Sequence, residues 1–227
     1  KSIAGTNMPK VRIVGINHET DIKTSDGKTA GLTFMATHSL PKAAQINTTY
    51  TNVNGWKGSE LHPRMQPGSG SSHDIWNTLV TADSKLTDVI KPVKKLTNNV
   101  NGEYTGTAVT STDDYLWLPS RSELAGNTLA FSSTTYPWTN REGNQYIFFS
   151  DRKVVDNATS TILDGMDKTQ NGTQPSDHAG TVYVCWWQRS CCPGNEIGFL
   201  LRYTTGYPGS NYGYPDYKLG VVPGFCL

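Results

Sequence analysis

Apolar positions alternate over Val11 to Ile16 (Val-Arg-Ile-Val-Gly-Ile), which predicts a strand. The Asp26-Gly27 turn signal is followed by Gly31 to Ala36 (Gly-Leu-Thr-Phe-Met-Ala), which predicts its hairpin partner. Trp56 to Leu61 reads as a helix start, with Ser59 as a cap and Pro63 where an early turn tolerates it. Gly68 to Ser72 is a break. Beyond it Ile75, Trp76, Leu79 and Val80 share one face and predict a helix over Ser72 to Val80. Lys85 to Ile90 gives a further helical turn, ended by Pro92. Val93 to Leu96 and Thr105 to Thr110 read as strands around a polar loop at Asn98 to Glu103. Asp114 to Leu118 reads as a buried strand, and Pro119 to Leu124 starts a short helix. Gly126 to Asp151 scatters aromatics without a period, and Asp156 to Gly180 is a long polar stretch read as loop. Val182 to Trp187, Ile197 to Arg202 and Gly220 to Phe225 predict the strands of a closing sheet. Helices early, short strands late and long loops between them predict one α+β domain.

Composition sharpens this in one direction. Hydrophobic residues make up 36% and charged residues 17% of 227. Both are low for a globular chain, and Gly, Ser, Thr and Asn fill the difference, which favours turns and short strands. The net charge of +1 gives no electrostatic case for a nucleic-acid partner or for an anionic membrane. The basic cluster Lys91 to Lys95 reads as a solvated helix end. No apolar run reaches the length of a membrane span, so no membrane insertion is expected. The chain opens Lys1-Ser2-Ile3-Ala4-Gly5, without an initiator Met or a signal-peptide apolar core. This predicts a domain cut from a longer parent chain, with residues 1–10 as linker or tail and 11–227 as the domain.

The chemistry-bearing residues give few sharp signals. Cys185, Cys191, Cys192 and Cys226 fit no zinc spacing. A Cys185–Cys226 disulfide requires neighbouring strands, and free thiols are the other open reading. Cys191 and Cys192 are the only candidate nucleophiles, with no basic helix end expected to activate them. Ser72-His73-Asp74 are adjacent, whereas a catalytic triad converges from separate segments, so an exposed helix cap is the better reading. Gly68-Ser-Gly70 lacks the preceding strand of a phosphate loop and reads as a hinge. The five histidines (18, 38, 62, 73, 178) are dispersed. Asp164, Asp167 and Asn171 could offer oxygens to a structural calcium ion, but without the carboxylate pattern of an EF-hand. No other cofactor is expected. Asn47, Asn157 and Asn171 match the N-glycosylation sequon, which is silent in a bacterial source. Trp186, Trp187 and Arg189 read as strand-start aromatics with an arginine tying a loop.

The segment from Cys185 to Leu227 stands apart. It opens Cys185-Trp186-Trp187-Gln188-Arg189-Ser190 and closes Gly220-Val221-Val222-Pro223-Gly224-Phe225-Cys226-Leu227. Between these apolar anchors, five of the eleven tyrosines fall within Tyr203 to Tyr217, among Gly, Ser, Asn, Asp and Pro. Tyr supplies large contact area at low entropy cost, and Gly, Ser and Asn supply adaptable hydrogen bonds, which is paratope chemistry. A run anchored at both ends can be ordered, as a free tail cannot.

Trp186-Trp187-x-Arg189-Ser190, Phe199, Gly206-x-Pro208 and Gly220-Val221-x-Pro223-x-Phe225-Cys226 together resemble the C-terminal signature of variable proteins diversified by retroelements in gut bacteria and their phages. The upstream Gly55-Trp56-x-Gly58-Ser59-Glu60-Leu61 and Trp117-Leu118-Pro119-Ser120-x-Ser122-Glu123 fit the same family, so the resemblance runs from about Val11 onward. It implies a C-type lectin fold related to that of formylglycine-generating enzymes, with short antiparallel sheets, two or more short helices and long loops. It implies adenine-directed mutagenesis of a segment at about 185–219. The ligand-facing positions would be drawn from Gln188, Cys191, Cys192, Gly194, Asn195, Ile197, Leu201, Tyr203, Tyr207, Asn211, Tyr212, Tyr214, Asp216 and Tyr217. The adjacent cysteines would then be two randomised codons. The expected function is a receptor- or adhesin-type domain with no catalysis. It would bind a protein or glycan on another cell and be displayed on a phage tail or a bacterial surface. The rivals are an enzyme of the formylglycine-generating type, for which adjacent cysteines have the wrong spacing, and a structural module of a phage tail. A calcium-dependent sugar site lacks the paired acidic-Pro-Asn arrangement.

Overall fold

The computed structural model describes residues 10–18, 31–37, 39–40, 42–98, 109–126, 142–154, 185–192, 198–202 and 212–227. These form a mixed α and β structure of small antiparallel sheets and a few short helices. In chain order they are β1 (Val11–Ile16), β2 (Leu32–Ala36), α1 (Leu61–Arg64), α2 (Asp74–Ala82), α3 (Ser84–Val89), β3 (Val93–Asn98), β4 (Val109–Asp114), α4 (Arg121–Ala125), α5 (Ile147–Ser150), β5 (Trp186–Cys191), β6 (Phe199–Arg202), β7 (Tyr212–Gly213) and β8 (Gly224–Cys226).

The predicted hairpin pair forms: β1 runs antiparallel to β2 from Val11↔Ala36 to Ile16↔Leu32, with an irregularity between Ile13 and Gly15. The other edge of β2 takes β8, pairing Thr33 with Cys226 and Met35 with Gly224. Both ends of the described chain therefore meet in one sheet. Isolated bridges from Lys91 to Cys226 and from Trp117 to Gly224 fasten β8 further. The close approach at Gly224 demands glycine, because a Cβ there would lie 2.9 Å from Trp117 Nε1. β3 and β4 form a separate antiparallel pair, and β5, β6 and β7 form a third sheet in that order.

Every residue of β5 is buried. Successive strand side chains point to opposite faces, so its two tryptophans feed two cores. Trp187 packs with Ala44, Ile46, Trp56, Leu61, Trp117 and Phe199. Trp186 packs with Val14, Met35, Leu124, Tyr146, Phe149 and Val222. The helices are short. α2 buries Trp76 and Leu79 as its periodicity predicts, and Asp83 caps α3 by accepting from Leu86 N at 3.1 Å.

Three expectations change, and one open alternative is decided. The strand expected at Asp114 to Leu118 is absent: β4 ends at Asp114, and beyond it only Trp117 makes a bridge. The side-chain amide of Gln66 occupies this backbone, accepting from Tyr115 N at 2.8 Å and donating to Leu116 O at 2.8 Å, where a strand partner would be. α5 forms in a stretch with no visible period, because four residues are too few to show one. The Lys91 to Lys95 cluster is not a solvated helix end: β3 alternates, so Lys94 faces Asp113 outside while Lys95 is fully buried. Of the two readings left open for the cysteines, the thiol is the one observed: all four are buried and none is in a disulfide. The strands expected at Thr105 to Thr110 and Val182 to Trp187 lie partly outside the described residues, as does the loop at Asn98 to Glu103. The loop at Asp156 to Gly180 and the residues 1–9 lie outside them entirely.

Candidate functional site

The site has a rigid interior and an outward face, both built around β5. In the interior, Arg189 is fully buried, and its guanidinium donates to six acceptors. Nε reaches Thr97 Oγ1 at 2.8 Å, Nη1 reaches Leu118 O at 2.8 Å, and Nη2 reaches Leu96 O at 3.1 Å and Glu142 O at 2.9 Å. Nη1 and Nη2 also form a fork on the Glu123 carboxylate at 2.6 and 3.0 Å. Such bidentate pairing suits an arginine taken out of water. Glu123 also pairs with the buried Lys95, whose ammonium lies 4.6 Å from the Trp117 ring centroid. Two cations thus overcome the desolvation that opposes ionisation of Glu123, and its carboxyl is lowered to about 2.

Glu123 belongs to a capping box at the start of α4. Ser120 Oγ accepts from Glu123 N at 3.1 Å, and Ser120 N donates to Glu123 Oε2 at 2.9 Å. Ser190 Oγ accepts from Arg121 N at 3.0 Å and donates to Glu142. Burial pushes the Glu142 carboxyl up, against the hydrogen bonds from Asn98 N and Ser190 and the charge of Arg189. The Trp186-Trp187-x-Arg189-Ser190 and Ser120-x-Ser122-Glu123 motifs therefore meet in one polar knot.

The outward face comes from two segments far apart in sequence. Ala44 bridges Leu219. Ile46 N and Asn47 N both donate to Pro215 O, at 2.9 and 3.1 Å. Trp187 Nε1 donates to Ala44 O at 2.8 Å, and Asn52 Nδ2 donates to Gly198 O at 2.9 Å. These bonds lay residues 44–53 against residues 214–219. On the resulting surface Tyr50 is 58% and Tyr217 48% exposed. Tyr214, half-buried, stands between them: its ring meets Tyr50 edge-on at 5.3 Å and Tyr217 edge-on at 5.4 Å. The charge of Asp216, and a hydrogen bond with it, raise the Tyr50 phenol.

Of the residues expected to face a ligand, Tyr214, Asp216 and Tyr217 come together here. Tyr212 lies in β7, paired with Leu200. Gln188, Cys191, Cys192 and Leu201 lie in the interior. Gln188 Nε2 reaches Leu201 O at 3.5 Å, and Cys191 Sγ donates to Asn98 O at 3.3 Å. A ligand-facing role for these four does not follow from this placement. Gly194, Asn195, Ile197, Tyr203, Tyr207 and Asn211 lie outside the described residues. The chain on either side of them is fixed: Cys192 N donates to Gly198 O at 2.9 Å, and Phe199 pairs with Gly213. Tyr50 was not expected. Nothing in Thr48-Thr49-Tyr50-Thr51 distinguishes it from an ordinary polar loop.

The other candidates resolve into structure. Burial raises Cys185 to about 11, Cys192 to about 12 and Cys191 well above its ordinary value. These thiols hold their protons at neutral pH and are poor nucleophiles. Asp74 is claimed by Arg64, whose Nε and Nη2 donate at 2.7 and 2.9 Å, and His73 Nδ1 lies 3.0 Å from Gln66 O, so no triad forms. Asn47 is buried; it donates to Thr51 O and accepts from Glu60 N, which leaves no room for a glycan. Asn157, Asn171 and the acidic pair Asp164 and Asp167 lie outside the described residues. Among the described residues no three His, Cys, Asp or Glu side chains gather to hold a metal, and no helix is long and apolar enough to cross a membrane. Comparison with protein-family models, with curated proteins and with solved structures yields no match.

Proposed function

We propose that this chain is a ligand-binding domain of receptor or adhesin type, with a C-type lectin-like fold and a retroelement-diversified surface. The observation that carries the reading is the Tyr50–Tyr214–Tyr217 ladder, exposed at both ends, on segments that Trp187 and Pro215 tie to the core. Exposed tyrosines on rigid support give contact area without an ordering cost, which is how a paratope gains affinity. The sequence signature adds support. Its Arg189, Ser190, Ser120 and Glu123 form the interior knot, whereas Tyr214 and Tyr217, from between the anchors, reach the surface. Small antiparallel sheets with long connections agree with a lectin-like fold at a coarse level. The partner is a protein or glycan on another cell, and the domain is displayed on a phage tail or a bacterial surface. The buried, protonated thiols give the enzyme alternative no support.

The test lies in the DNA around the gene. A near-copy of the segment coding for Trp186 to Leu227, beside a reverse-transcriptase gene and differing from it at adenines, is the expected finding. Mismatches spread over all four bases, or no copy at all, would remove the diversification and leave a binder of fixed specificity.

A further inference from the structure

Resting on that reading, we propose that the tyrosine ladder receives a cationic group, the ammonium or guanidinium of a lysine or arginine side chain presented by a protein partner. The chemistry is in the residues that frame the ladder. Three aromatic rings lie edge-to-face in series, and such rings carry negative faces. Cations are drawn to such faces, most strongly where water is partly excluded. Beside them sits Asp216, a carboxylate that forms no ion pair among the described residues. Its Oδ1 is shielded from solvent and accepts no hydrogen bond. The backbone holds it in place, since Gln45 Nε2 donates to Asp216 O and Tyr217 N donates to Tyr214 O at 2.9 Å.

A half-buried carboxylate with one oxygen unsatisfied is costly to keep. Two other carboxylates have their cations: Glu123 has Arg189 and Lys95, and Asp74 has Arg64. Asp216 instead stands beside three tyrosines that reach solvent. Its influence is visible on Tyr50, whose phenol it raises. A neutral sugar would gain ring stacking here but would leave the negative charge uncompensated. An anionic ligand would be repelled. A cation satisfies the rings and the carboxylate together, and charge pairing at a binding face governs which partner is accepted.

The test is a titration of the domain, carrying ring-labelled tyrosine, followed by NMR. The probes are an arginine-rich peptide and the same peptide with citrulline at each arginine, which keeps shape and removes charge. The expected result is a saturable shift of the Tyr50, Tyr214 and Tyr217 ring signals with the arginine peptide and about tenfold weaker binding of the citrulline peptide. Asp216→Asn should weaken the arginine peptide about tenfold at an unchanged melting temperature. Tyr217→Leu, which keeps apolar area and removes the ring, should also weaken it. Equal binding of the two peptides, full binding by Asp216→Asn, or no shift with the arginine peptide would overturn the proposal. So would a preference of the same rings for a neutral oligosaccharide, although that result would leave the binding face itself intact. The binding-face reading fails by a different measurement, the melting temperature of tyrosine-to-alanine variants.

Discussion

At the scale of single residues, the decisive fact is that four charged side chains share the interior. Arg189, Lys95, Glu123 and Glu142 all lie out of water. Removing one member of such a cluster strands the others, at about 3–5 kcal/mol, whereas the intact cluster contributes less net stability than its bond list suggests. Its pH behaviour follows from two carboxylates displaced in opposite directions. Glu123 is held at about 2, below its unfolded value, so its contribution is present above the unfolded carboxylate range and is lost as pH falls through about 2. Glu142 is raised, so its contribution is complete below the unfolded range and is lost as pH climbs through its folded value. Glu142→Gln keeps an acceptor for Asn98 N, exchanges the acceptor of Ser190 Oγ for a donor and removes the second titration. Thermal unfolding followed from pH 2 to pH 8 should show that this variant retains the acid-side loss and loses the decline on the other side. A variant that still declines as the native chain does would place that titration elsewhere.

At the scale of elements, legibility depended on whether a segment's hydrogen-bond partners were local. β1 and β2, α2, α3 and the capped start of α4 follow from periodicity and cap residues, because their partners lie within a few positions or across one hairpin. Asp114 to Leu118 misled because its partner is the side chain of Gln66, which no pattern along the strand announces. Lys95 misled because the alternation of β3 could be seen but the buried carboxylate that permits an inward lysine could not. β7 shows the same limit inside the tyrosine-rich run. Gly213 reads as an adaptable surface glycine, yet it is buried, and a Cβ there would stand 2.8 Å from Trp187 Cη2 and 3.0 Å from Leu201 Cδ2. Gly213→Ala should therefore destabilise the domain by about 1–3 kcal/mol through overpacking. Urea unfolding measures this directly. An unchanged midpoint would mean that Trp187 does not fill that space.

At the scale of the molecule, frame and face should separate energetically, and this is the property a diversified binder needs. A surface can accept many side chains only if folding does not depend on them. The Tyr50–Tyr214–Tyr217 face meets this condition, since two of its rings are about half exposed and the three rings pack edge-on in series. Edge-to-face pairs contribute about 0.5–1.5 kcal/mol each beyond area burial. A chain of this size loses about 2–4 °C per kcal/mol. Replacing all three tyrosines with alanine should thus lower the melting temperature by only a few degrees. Three core aromatics truncated in the same way would cost about 3–5 kcal/mol each and melt the domain far earlier. Binding should respond in the opposite sense, because exposed tyrosines on a fixed support are the residues in which interface energy concentrates, at about 2 kcal/mol or more apiece. Labelled domain applied to a panel of bacterial cells, beside a melting curve, reads both quantities on one preparation. A small thermal loss with binding abolished would mean that the ladder is a face laid over the Arg189 frame. A large thermal loss would mean that residues 44–53 and 214–219 are held together by these rings as much as by Pro215 and Trp187, and the ladder would then be part of the frame.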